Sequence, residues 1–301
     1  MKMRKILTLL FTALAIQLSA GPVPLADPFI LLDNGTYYAY GTHSADGIEV
    51  YTSQDLKNWR PAGLALKKGD VWGKKWFWAP EVYRSGDKFI MYYSAEEHIC
   101  AAEADSPLGP FKQSVKAPML PGERNIDHTL FIDSDGKARI FFCRLIKRND
   151  IWTAELENDL VTIKKDTIKF CIAPEQPWEL ENGRINEGAA VIKHNNKYYL
   201  TYSGNGYTSK LYGIGYAVSD SPEGPWVKSQ RNPIFQNPGG KLSGSGHHAI
   251  FKDKAGKLKI VFHSHRSDKN IHPRIMHITD AEFKDGELYI SEDFITPQLV
   301  K

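Results

Sequence analysis

The stretches GTYYAYGT (residues 35–42), DKFIMYYS (87–94), GKARIFFC (136–143), NKYYLTYS (196–203) and GKLKIVFH (256–263) repeat one pattern. Each opens on a turn residue or two and continues as a β-branched or aromatic run, which is how a strand leaves a hairpin. Aligned on Thr36, Lys88, Lys137, Lys197 and Lys257, the copies stand 52, 49, 60 and 60 residues apart. A period of that size holds four short strands, one propeller blade. A strand precedes every copy: ADPFILLDNG, WAPEVYRSGD, IDHTLFIDSDG, NEGAAVIKHNN and GHHAIFKDKAG. Related turns follow several copies, in TSQDLKNW (52–59), ADSPLGPF (104–111) and SDSPEGPW (219–226). Their Pro and Gly mark chain reversals, not linkers between domains. No helical periodicity competes with this reading. The expected fold is all-β, a single five-bladed β-propeller over residues 21–301.

The residues ahead of it read differently. MKMRKILTLLFTALAIQLSA (1–20) has a basic start, an apolar run from Ile6 to Ile16 and small residues at Ser19-Ala20. This is the pattern of a secretory signal. Eleven residues fall short of the roughly 20 needed to span a bilayer, so a signal is expected and a membrane span is not. The mature chain is expected to be exported, periplasmic or secreted, and monomeric. Of 38 Lys+Arg, three lie in the signal, which leaves 35 against 35 Asp+Glu. A nucleic-acid partner normally calls for a basic excess, and none is expected here. Cys100, Cys143 and Cys171 are odd in number and lack CxxC spacing. They read as buried small hydrophobes rather than a disulfide framework.

In a propeller the first strand of each blade lines the central channel, and its N-terminal end opens on one face. Ten residues before the aligned Lys of blades two to five, and nine before Thr36, stand Asp27, Trp78, Asp127, Glu187 and His247. All five are expected to converge on one end of the channel. Three carboxylates in a ring permit general acid/base hydrolysis of a glycosidic bond: one carboxyl protonates the leaving oxygen and another activates water. A third would raise the pKa of the acid by like-charge repulsion. The same ring also permits cation binding through hard oxygen ligands, or an inert polar plug. Trp78, with Phe29 and Trp76 nearby, favours sugar, because indole faces stack on pyranose and furanose C–H surfaces.

The chain resembles glycoside hydrolase family 43, five-bladed propeller enzymes acting on arabinose- and xylose-containing polysaccharides. The resemblance is carried by Ala26-Asp27-Pro28-Phe29, Trp78-Ala79-Pro80-Glu81-Val82, Ile126-Asp127-His128, Asn186-Glu187-Gly188 and Gly244-Ser245-Gly246-His247, one set per blade in order. It implies that Asp27 is the general base, Glu187 the general acid, and Asp127 the residue that orients the acid and raises its pKa. It implies inversion at the anomeric carbon, with base and acid about 6.5–9.5 Å apart. His247 matches a channel histidine that lies near a central cation through water in some members. No cofactor is required on this reading, although the channel has a place for a structural Ca2+. Phe29, Trp78, His247 and Arg274 are the expected substrate-binding residues. Ala189 and His128 stand where many relatives have Pro, a departure at the rim that leaves every carboxylate in place.

The activity the resemblance favours is an exo-acting α-L-arabinofuranosidase on an oligo- or polysaccharide. A β-xylosidase, a galactosidase or galactofuranosidase, and an endo-arabinanase of the same fold are the alternatives, and a non-catalytic carbohydrate-binding propeller is the alternative from another class. Other motifs are weaker. Asp133-Ser134-Asp135-Gly136 starts like an EF-hand loop, but position 144 is Arg where a Glu is needed, so a hairpin turn is expected. Asn34-Gly35 reads as a two-residue hairpin turn. His263 is expected either to be packed and hydrogen-bonded or to contact substrate.

Overall fold

The aromatic runs of the repeat are second strands buried on both faces. Seven of the eight residues of Lys88–Ala95 are buried, and so are seven of the eight of Lys197–Gly204. A strand with one wet face alternates; one sandwiched between neighbouring blades does not, so it reads as a continuous aromatic and aliphatic run. The computed structural model describes residues 19–300. The secretory signal expected over residues 1–20 falls outside them, Ser19 and Ala20 excepted.

Five antiparallel sheets form the blades of a propeller. Blade one holds Ala26–Asp33, Thr36–Thr42, Gly47–Ser53 and Asn58–Lys67. Blade two holds Trp78–Ser85, Lys88–Ala95 and His98–Ala104, with a single bridge from Glu103 of the last strand to Lys112. Blade three runs through Asn125–Ile132, Ala138–Leu145, Asn149–Glu155 and Lys169–Ile172. Blade four comprises Asn186–His194, Lys197–Gly204, Gly213–Ser219 and Val227–Lys228. Blade five comprises Gly246–Lys252, Leu258–Ser264, Ile275–Lys284 and Glu287–Ile295. The first strands pack on one another in a closed ring, blade one against blades two and five. Blade one also closes the circle at its outer edge. Gln298–Val300 lies parallel to Asn58–Lys67, and Ser19–Pro22 pairs antiparallel with Gln298–Val300.

Apolar clusters fill the gaps between blades. Ile90 and Tyr92 of blade two meet Ile140 and Phe142 of blade three, and Tyr199 and Ile214 of blade four meet Ile260 and Phe262 of blade five. Cys100, Cys143 and Cys171 are free and buried, as expected. The hairpin readings also hold. Asn34 and Gly35 both have positive φ, 45° and 73°, as a two-residue primed turn requires. Asp133 to Gly136 is a turn in which Gly136 N–H reaches Asp133 C=O at 2.9 Å, while Lys193 Nζ sits 2.7 Å from Asp133 Oδ1.

Every first strand is bulged at the same level. The ladder skips Asp27-Pro28, Ala79-Pro80, Asp127-His128, Gly188-Ala189 and His247-His248. The first residue of each pair is left-handed, with φ of 47°, 44°, 53°, 56° and 45°. Only glycine adopts that conformation freely, so four of the five sites carry strain that the surrounding sheets hold in place. This register corrects the alignment made from sequence. Asp27, Asp127 and His247 begin their bulges, whereas Trp78 and Glu187 stand one residue earlier, opposite Ser94 and Ser203. Counting back a fixed number of residues crosses a two-residue turn in blades two and four but a five-residue turn, 133–137 or 253–257, in blades three and five.

Candidate active site

The bulges aim their N–H groups at the preceding blade. Asp27 N–H donates to His263 Nδ1 (3.1 Å) and Ala79 N–H to Thr42 Oγ1 (3.0 Å). Asp127 N–H donates to Ser94 Oγ (3.2 Å) and His247 N–H to Ser203 Oγ (2.8 Å). These four acceptors are the last residues of four of the repeated stretches. The fifth stretch ends in Cys143, a weak acceptor, and there the Gly188 N–H serves the Asp127 carboxylate instead. The repeat thus orients the ring: each blade's second strand holds the next blade's bulge.

Asp27 is buried beneath a guanidinium. Arg274 Nη1 lies 2.7 Å from Asp27 Oδ1 and Nη2 lies 3.3 Å from Oδ2, a two-pronged contact. His247 Nδ1 and His263 Nδ1 are 3.4 and 3.3 Å from Oδ1. Burial, the largest single influence, would raise the carboxyl's pKa; Arg274 together with the other groups around the carboxyl, a Thr42 hydrogen bond among them, outweighs it. Asp27 is therefore held well below the ordinary carboxylate range and is ionised throughout the working pH range. Both histidines are pushed down, chiefly by burial, and are neutral.

Glu187 and Asp127 behave oppositely. Burial pushes Glu187 up to about 7, against hydrogen bonds from Tyr212 and Asn149 and with help from the charge of Asp27. Burial also raises Asp127 far above its usual range, and Glu187 and Asp27 push it further. The Gly188 N–H works against them. Ligand atoms of Asp127, Glu187 and His247 lie within 4.8 Å of one another, so the two carboxyls titrate as one system. Burial, more than like charge, is what lifts Glu187. Tyr212 Oη donates to Glu187 Oε1 at 2.9 Å, and Asn149 Nδ2 stands 3.3 Å from Oε2. One end of the channel thus carries a fixed carboxylate beside carboxyls that keep their protons, the division of labour that acid/base chemistry requires.

The model of glycosyl hydrolases family 43 matches residues 21–288. The chain belongs to this family. It is a glycoside hydrolase, and inversion is the reaction known for the family. It is 45% identical to a Bacteroides thetaiotaomicron protein of known structure named as an endo-1,4-β-xylanase, at a TM-score of 0.91 over 94% of this chain and 100% of that one. A thermostable family-43 glycoside hydrolase superimposes at 0.84, with 37% identity over 91% and 95% of the two chains. A β-D-galactofuranosidase of Aspergillus niger is 27% identical over 79% of this chain and 73% of its own.

Within this family-43 propeller the other expected site residues take varied places. Trp78 is half-buried, and its ring stacks on the exposed Trp76 at 5.5 Å and 16°. Phe29 is buried in the core, its ring 5.4 Å from Tyr83, and it also borders the small cavity beside Asp27. Arg274 is not a rim residue: it is 9% exposed and reaches into the site. A cavity of about 10 Å³ adjoins the site, lined by Asp27, Phe29, Glu81, His128, His247 and His248 among others, room for about one water. Glu81, a further buried acid beside the site, is pushed up to about 8 by burial despite hydrogen bonds from Tyr83 and Thr129.

Tyr212 and Asn149 have no sequence signature. Each enters from another strand or loop of blades three and four, and only the fold brings them to Glu187. The Ca2+ envisaged for the channel would have Asp127, Glu187 and His247 as its side-chain donors. Ca2+ takes about six to eight oxygen ligands, and toward that shell these side chains offer two carboxyl groups and one imidazole nitrogen.

Proposed function

We propose that this chain is an exported, exo-acting α-L-arabinofuranosidase that hydrolyses oligo- or polysaccharides with inversion. Asp27 is the general base, Glu187 the general acid, and Asp127 the neighbour that orients the acid and keeps its proton in place. The single observation that carries this reading is the opposite ionisation of Asp27 and Glu187 at one end of the channel. Asp27, ionised under Arg274, takes a proton from water as that water attacks the anomeric carbon. Glu187 gives its proton to the departing glycosidic oxygen. Both reset by exchange with solvent. Trp78, on its Trp76 platform, supplies an aromatic face for the sugar, and Arg274 and His247 border the base. No cofactor enters this chemistry.

A second reading, action on a xylose main chain, is favoured by the 45% identical relative named as an endo-1,4-β-xylanase. A panel of 4-nitrophenyl α-L-arabinofuranoside, β-D-xylopyranoside and β-D-galactofuranoside, alongside arabinan and xylan, separates the readings. The anomer of the released sugar is read by NMR. Release of arabinose with inverted configuration is expected. Asp27→Asn and Glu187→Gln are expected to lower kcat by about 10²–10⁴-fold. Full activity in either variant would remove that residue's role, and no release from any substrate would remove the enzymatic reading.

A further inference from the structure

We infer that Tyr212 is a positioning residue that fixes which oxygen of Glu187 carries the catalytic proton. The inference rests on Glu187 being the general acid. A neutral carboxyl has one oxygen that bears hydrogen and one that accepts, and a donor aimed at one of them decides which is which. The Tyr212 hydroxyl donates to Oε1 at 2.9 Å. Asn149 Nδ2 donates to Oε2 at 3.3 Å, the longer and weaker of the two hydrogen bonds, so the proton of Glu187 is left on Oε2. Tyr212 remains a donor at any working pH, since burial above all holds its phenol far above the usual value.

The ring is as firmly placed as its hydroxyl. Tyr212 is fully buried and stacks on His263 at 5.7 Å and 17°. His263 in turn accepts the Asp27 N–H. Gly246 makes room for it, because a Cβ there would lie 2.5 Å from the ring. A blade-four residue is thus clamped by blade five while it serves the blade-four acid. The charged and titratable groups that face Glu187 are Asp27, Asp127, Arg274, His247, Tyr212 and the buried Cys143. Of these, Tyr212 alone donates to Oε1 among the described residues.

Tyr212→Phe keeps the ring and deletes the donor. Removing a hydrogen bond that favours the ionised acid raises the pKa of Glu187, so the alkaline limb of kcat/KM moves to higher pH. Loss of kcat, expected at about tenfold or more, should grow with the pKa of the leaving group. It should nearly vanish for a 2,4-dinitrophenyl glycoside, which leaves without a proton. A more acidic 3-fluorotyrosine at position 212 retains the shape and should move the limb the other way. An unmoved limb with equal losses for all leaving groups would show a structural role only and overturn the inference. Unchanged kinetics would overturn it as well. The wild-type protein and Glu187→Gln are run alongside. An inactive wild type, or an active Glu187→Gln, faults the parent reading instead.

Discussion

Asp27 shows how much a single charge decides. Its carboxyl is buried, which opposes ionisation, yet it is ionised because Arg274 places both guanidinium nitrogens against its two oxygens. Arg274→Gln removes that charge and leaves the burial, so the pKa of Asp27 should climb. The acid limb of kcat/KM is expected to move to higher pH, and kcat/KM at pH 5 to fall by about 10²-fold or more. A pH profile in which only KM changes would show that Arg274 touches substrate without tuning the base. The candidate carboxylates were legible as residues because each recurs one blade apart at the channel end. The pairing of Arg274 with Asp27 was not: 247 positions separate them, and no local pattern records an ion pair between first and last blades.

At the scale of the strand, the bulge and its latch are the unit. Each first strand turns left-handed for one residue, and four of the five freed N–H groups find an acceptor on the second strand of the preceding blade. Ser94→Ala would leave the Asp127 N–H buried and unpaired, at a cost of about 1–3 kcal/mol. It should lower the urea midpoint with an unchanged m-value, and loosen the aim of Asp127. An unchanged midpoint would mean that the Ser94 contact holds nothing. The repeated stretches were readable as strands from their aromatic runs, and their final residues were in plain view. Their function was hidden, since Thr, Ser, Cys and His share no composition, only the ability or inability to accept one hydrogen bond. The one-residue displacement of Trp78 and Glu187 was hidden for a related reason: turn length varies between blades, and ladder register counts rungs rather than residues.

For the molecule as a whole, burial sets a pH window. Glu81, raised from 4.5 to about 8 by burial, binds its proton more tightly when folded. Its contribution is complete below about pH 4.5 and is lost as pH rises toward 8. His128, His248 and His277, lowered from 6.5 to about 3 by burial, act in the opposite sense. Their contribution is complete above about pH 6.5 and is lost as pH falls toward 3. With three histidines against one carboxyl, the melting temperature is expected to peak at about pH 6.5–7, where the histidine contribution levels off. Glu81→Gln should flatten the decline between that peak and about pH 8; an identical decline in the variant would assign it to other groups.

The sequence by itself determined the number of blades, the all-β class, the reversals at Asn34-Gly35 and Asp133–Gly136, and the three acids. These depend on local periodicity, turn chemistry and residue type, which the chain carries wherever it goes. Only the tertiary structure decided which acid is charged, which keeps its proton, and which neighbours enforce the difference. Ionisation depends on burial and on charges a few ångströms away, and those distances exist only once blade five has closed against blade one.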